Sequence, residues 1–212
     1  MNRLKEERKT IIITTLLSLF PLALGLILWN KLPDQIAMHY DFSGTPDSYY
    51  SKPVAVFFNL FYPVIQLICL FGTIADPKNK DKNDKVIGLV MWIVPLVAAF
   101  TSIVIYGNAL NMNIDVKTSI MILLGVVFIL VGNYLPKCRQ NYTIGIRTPW
   151  TLNDQENWDK THRFAGYVFF IGGIIMFLSA FINNFYVSLV VIFLIAILPI
   201  GYSYLLYIRK KA

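Results

Sequence analysis

The two histidines of this 212-residue chain are the first places to look for chemistry, and each has an acidic neighbour. His39 and Asp41 stand two apart in QIAMHYDF, where a weak alternation of Ile36, Met38 and Tyr40 predicts a short strand with His39 and Asp41 on its other face. Two such groups begin a metal site, but no third or fourth ligand accompanies them, so no metal is assigned and a structural or partner-contact role is expected. His162 stands in NWDKTHR, where helical spacing puts Trp158 and His162 on one face and pairs Asp159 with Arg163. Such an imidazole can sense pH, bind a headgroup, or cap and hydrogen-bond the start of a helix. Arg147 follows Ile144-Gly145-Ile146, and a guanidinium after that turn can grip a lipid phosphate, a carboxylate or backbone carbonyls, or simply clamp the loop. No nucleophile-base set, His-Glu-x-x-His helix or pair of intramembrane aspartates is present, so catalysis is not expected.

The elements that must position these residues are membrane spans. The chain is 56% hydrophobic and 15% charged, outside the proportions of a soluble domain. Uncharged runs cover Thr10 to Asn30, Pro53 to Ala75, Val86 to Ile114, Thr118 to Pro136 and Phe164 to Ile208. A bilayer core of about 30 Å needs roughly 20 helical residues, and the last run is long enough for two helices broken at Asn183-Asn184. The expectation is an all-α polytopic protein with six transmembrane helices, a short structured outer loop and an amphipathic inner-loop helix. The first run lacks a small-residue cleavage site and is taken as a retained helix. Residues 1–75 hold helices 1 and 2 with loop 31–53, and residues 76–212 hold helices 3 to 6 with loop 132–166. Cys69 lies deep in the second run and Cys138 in a basic loop, so no disulfide is implied.

The net charge of +7 does not point to direct nucleic-acid binding, because the basic residues flank apolar runs. The N-terminus (Arg3, Lys5, Arg8, Lys9), the loops at 76–85 and 136–163, and the tail (Arg209, Lys210, Lys211) carry 16 Lys and Arg. The alternate side has only Lys31, Lys52 and Lys117. By the positive-inside rule both termini are cytoplasmic, loop 31–53 is outside and loop 136–163 inside. The charge run Asp76 to Lys85 reads as a solvated connector that anchors topology and is assigned no chemistry.

Within the apolar runs there is no Asp, Glu, Lys, Arg or His, which argues against an ion-coupled transporter. Asn59 and Gln66, seven apart, share a face of helix 2 and should hydrogen-bond to other helices or line a cavity. Pro21, Pro63, Pro95 and Pro199 each remove a helical hydrogen bond and can bend their helices. Trp29, Trp92, Tyr134, Tyr202, Tyr204 and Tyr207 read mostly as an interfacial belt.

Two loops have room for a site. In the outer one, Ser43-Gly44-Thr45-Pro46-Asp47 should fold the chain back on itself, making His39, Asp41, Gly44 and Asp47 the candidates. In the inner one the candidates are Asn133, Asn141, Gly145, Arg147, Pro149, Trp150, Trp158, His162 and Arg163. Thr151 and Asp154 have the spacing of a capping box that should start a helix along the cytoplasmic interface. Trp150 and Trp158 read as interface anchors, and Asn133 and Asn141 as residues that satisfy loop backbone.

The string G-N-Y-L-P-K-x-R-x-N-Y-x-I-G-I-R-T-P-W-T-L followed by W-x-x-T-H-R-x-x-G, from Gly132 to Gly166, closely resembles the signature of the SdpI family. The outer loop L-P-D-Q-I-x-x-H-Y-x-x-x-G-x-P-D resembles the extracytoplasmic module that often precedes that signature. The resemblance implies a non-enzymatic protein of a Gram-positive cytoplasmic membrane, needing no cofactor, that protects its cell from a secreted, membrane-active peptide toxin. It further implies a signal transducer that holds a cytoplasmic transcriptional repressor at the membrane. A membrane enzyme acting on lipid or peptide and a small toxin transporter are the alternative readings.

Overall fold

A computed structural model describes residues 8–79, 85–182 and 184–211. Arg3, Lys5, Lys80, Lys82 and Asn183 therefore lie outside the described residues. Helix α1 (Arg8–Ser18) and helix α2 (Phe20–Ile27) form the first span. They are separated at Leu19 because Pro21 has no N–H to offer the carbonyl one turn back. A hairpin of β1 (Gln35–Tyr40) and β2 (Pro46–Ser51) follows. The second span is α3 (Lys52–Phe57), a 3₁₀ turn at Phe58–Leu60 just ahead of Pro63, and α4 (Phe61–Ala75). Then come α5 (Lys85–Ala109), α6 (Val116–Tyr134), the short α7 (Pro149–Asn153), α8 (Gln155–Phe181) and α9 (Phe185–Lys211). Pro95 and Pro199 sit inside unbroken α5 and α9.

Among the described residues six helical stretches are long and apolar enough to cross a membrane, as the sequence predicted. The largest difference in length is at the fifth span. The fifth helix begins at Gln155, nine residues before its uncharged run, because charged side chains on a helix face do not interrupt backbone hydrogen bonding. The expected inner-loop helix is thus the opening turns of α8 and runs into the span without a break.

The chain folds into two compact units, neither contiguous in sequence: Met1–Leu70 with Val90–Ile120, and Phe71–Leu89 with Met121–Ala212. In the first, Leu32, Ile36, Ala55, Val56 and Tyr106 form a buried cluster beneath the hairpin. Gly25 leaves room for the Tyr106 ring, whose hydroxyl accepts from Asn59 Nδ2 at 2.8 Å. Gln66 donates to Thr14 Oγ1 at 3.0 Å and to the Met91 carbonyl at 2.9 Å. Both deep amides thus bond between helices. In the second unit, Met176, Val191 and Ile195 pack with Leu124, Phe128 and Phe169, and a separate cluster forms around Cys138 and Trp158.

Candidate functional site

Within the second unit, residues 138–162 fold around one buried imidazole. Asp154 caps α8 by accepting from the N–H groups of Glu156 and Asn157. A hydrogen bond from Lys210 holds the Asp154 carboxyl below the usual carboxylate range. One turn later Trp158, fully buried, stacks on His162 with ring centroids 3.9 Å apart. Their shared face is as the spacing predicted. The indole N–H donates to the Cys138 carbonyl at 2.8 Å. His162 Nδ1 lies 2.9 Å from the Trp158 carbonyl, and Nε2 accepts from the Ile146 N–H at 3.0 Å. One nitrogen faces an acceptor and the other a donor, which selects the neutral Nδ1–H tautomer.

The loop that meets this imidazole is held from within. Asn141, buried, donates to the Arg139 carbonyl at 2.8 Å and accepts from the N–H groups of Thr143 and Ile144. Gly145 has φ +110°, and a Cβ there would collide with His162 Nε2, so both backbone angle and space call for glycine. Arg147 Nη1 donates to the Tyr142 carbonyl, so of its possible roles the loop clamp is the one formed. Pro149 opens α7, and Trp150 donates to Ser203 Oγ at 2.8 Å while stacking on Tyr207.

Several expectations are corrected here. The capping box lies three residues earlier than predicted: Thr148 and Thr151 cap each other on α7, and Asp154 caps α8 alone. Trp158 is no interface anchor, because the whole side chain is buried and its N–H has a partner inside the protein. Asp159 accepts from Gln155 at 2.8 Å instead of pairing with Arg163, and the ion pair of this helix is Lys160 with Glu156. Arg163 is exposed, and Asn133 is exposed at the end of α6 without capping the loop.

The segment read as a solvated connector supplies two residues that sequence reasoning missed. Asp76, buried, accepts from the Tyr142 N–H at 2.6 Å, from Thr143 Oγ1 at 2.8 Å and from the Lys78 N–H at 2.9 Å. Lys78 Nζ reaches Gln140 Oε1 at 2.9 Å and lies 4.6 Å from the centre of the Tyr142 ring. The one available signal was position, since Asp76 directly follows an apolar run. A second missed feature was written in the spacing. Gly125 and Gly132 on α6, and Gly166 and Gly173 on α8, each stand seven apart, and a Cβ on any of the four would press on backbone of the facing helix.

Of the hairpin candidates, His39 and Asp47 come together and Asp41 stands apart from them. Ile36 and Met38 pack in the cluster below the hairpin as predicted, but irregular pairing on both sides of His39 breaks the alternation, Tyr40 bonds Asn108 instead, and His39 and Asp41 do not act together. His39 Nδ1 pairs with Asp47 Oδ1. Asp41 instead organises the turn, accepting from Ser43 Oγ at 2.6 Å and from the Ser43 and Thr45 N–H groups. These bonds, the Ser43 hydroxyl first, hold its carboxyl below the usual range. Gly44, at φ +84°, lets the turn close.

Six apolar spans joined by a short hairpin and a buried polar loop define a multi-pass membrane protein. Residues 137–203 match the SdpI/YfhL protein family, and residues 16–65 match a domain of unknown function, DUF1648. The two matches overlap the two sequence strings that carry the resemblance. It is 28% identical over 176 residues to the Immunity protein SdpI of Bacillus subtilis (strain 168), covering 81% of each chain. No solved structure matches it.

Proposed function

We propose that this protein is an immunity protein of a bacterial cytoplasmic membrane that protects its cell from a secreted, membrane-active peptide. The observation that carries the reading is the similarity to a protein named for immunity, which spans four-fifths of both chains. The geometry supports protection without turnover. The groups a hydrolase would keep free, His162, Asp76 and Asn141, are each engaged by loop backbone. On this reading the basic flanks put both termini in the cytoplasm, the hairpin outside, and Arg147 and Arg163 on an exposed inner rim. That rim is the surface offered to a cytoplasmic transcriptional repressor.

The test is membrane potential in a toxin-sensitive Gram-positive strain challenged with a sporulation-delaying-type peptide. Cells expressing the wild type are expected to hold their potential while cells with an empty vector depolarise. Equal depolarisation at verified membrane levels overturns the immunity reading for that peptide class. Toxin-dependent movement of a fluorescent repressor to the membrane, lost in an Arg163→Ala variant that leaves the Arg147 clamp in place, tests the signalling part.

A further inference from the structure

Resting on that reading, we propose that the hairpin and the start of the second span form a docking cleft for one bulky apolar side chain of a cationic, membrane-adsorbed amphipathic peptide. Met38 and His39 of β1, Tyr50 of β2, and Val54, Ala55 and Phe58 enclose about 200 Å³. An apolar cavity of about 150 Å³ accommodates a benzene ring, whereas sites for whole small ligands begin near roughly 300 Å³. The cleft is therefore sized for one aromatic or long aliphatic side chain.

Its depth says where that side chain comes from. Lys52 opens α3, donates to the Trp29 carbonyl and lies over the Trp29 ring, a Lys-Trp pairing that belongs at the membrane–water boundary. At about 1.5 Å per residue, Phe58 lies roughly 9 Å further along the helix. An amphipathic peptide lying in the interface buries its apolar face about 5–10 Å deep, at the same level. His39 and Tyr50 roof the cleft on the hairpin side, so a lipid chain rising from the hydrocarbon would end against polar groups.

The charges favour a cationic peptide. On the hairpin side Lys31, Lys52 and Lys117 face Asp34, Asp41, Asp47 and Asp115, a slight negative excess in a chain whose total is +7. The Asp34 side chain is fully exposed, and Asp47 is paired to His39 at the rim of the cleft.

The test uses the full chain in phosphatidylcholine nanodiscs and a lysine-leucine amphipathic peptide carrying one benzoylphenylalanine on its apolar face. Photo-cross-links are expected on the hairpin and the first turns of the second span. Val54→Trp, which fills the cleft from a half-exposed position, should weaken labelling roughly thirtyfold, the loss typical when an anchor side chain is shut out. Asp47→Asn should weaken it about threefold, less so in high salt. Cross-links confined to other spans, or labelling that Val54→Trp leaves unchanged, overturn the cleft. Should Val54→Trp fail to fold, the wild-type cross-link map alone decides. Failure of the immunity reading appears separately, as depolarisation of cells carrying the wild type while cross-linking to the cleft persists.

Discussion

The hairpin and the 138–162 loop are both short polar segments between membrane spans, yet they are held in opposite ways. Around the hairpin turn the side-chain bonds are local and exposed: Asp41 serves residues two and four positions on, and His39 reaches eight positions to Asp47. The loop adds buried, long-range bonds to its local ones. Asp76 reaches 66 positions to Tyr142, Trp158 20 positions to Cys138, and Asn157 46 positions to the Ser203 carbonyl. A local turn can loosen without disturbing its neighbours, whereas a buried network fails as a unit once one partner is left unsatisfied. The hairpin therefore has the properties of a tolerant recognition surface and the loop those of a rigid part.

That contrast can be broken by mutation. The largest effect is expected from Trp158→Ala, which empties a fully buried site and orphans the Cys138 carbonyl; the loss should be about 4 kcal/mol. Thermal unfolding in detergent measures it. Gly145→Ala should cost about 3 kcal/mol, from backbone strain and the displaced His162–Ile146 bond. A midpoint within a degree of the wild type would show that the loop relaxes as freely as a surface turn. Asp76→Asn keeps the shape but weakens three hydrogen bonds, and about 2 kcal/mol is expected in the same assay. The smallest effect sharpens the hairpin side. The folded Asp41 carboxyl titrates below its unfolded value, so its contribution is complete above the ordinary carboxylate range and fades as pH falls through the folded pKa. Protection of the Ser43 and Thr45 amides, corrected for intrinsic exchange, should fall only on that acidification, with that of Thr143 and Ile144, which bond the non-titrating Asn141, unaffected.

The same contrast explains what the sequence disclosed. The six spans were legible because hydropathy is additive along the chain, and so was the Trp158–His162 face, since helical spacing fixes it. Ile36 and Met38 declared the inner face of the hairpin by alternation, whereas Tyr40 lies beyond the irregular pairing at His39, which no spacing announced. Asp76 escaped because its partners lie more than sixty residues away, and nothing in DPKNKDKNDK distinguishes a buried carboxylate from a solvated one. Trp158 was misplaced for a related reason. An indole near a span end is usually an interfacial anchor, and only the folded loop supplies the carbonyl that draws it inside. The capping box was displaced because threonine can answer threonine, so Thr148 and Thr151 close a turn that the Thr151–Asp154 spacing also permitted.

The four glycines between α6 and α8 bear on how the second unit can move. Gly125 meets Gly173, and Gly132 meets Gly166, so the helices touch backbone to backbone at two points seven residues apart. Sliding one helix by a single turn would drive bulkier side chains into both contacts, and a slide of two turns, roughly 10 Å, would realign only one glycine pair. The pair is barred from piston strokes and keeps the freedom to pivot about its close contacts. Any message carried along these helices must travel as a change of tilt.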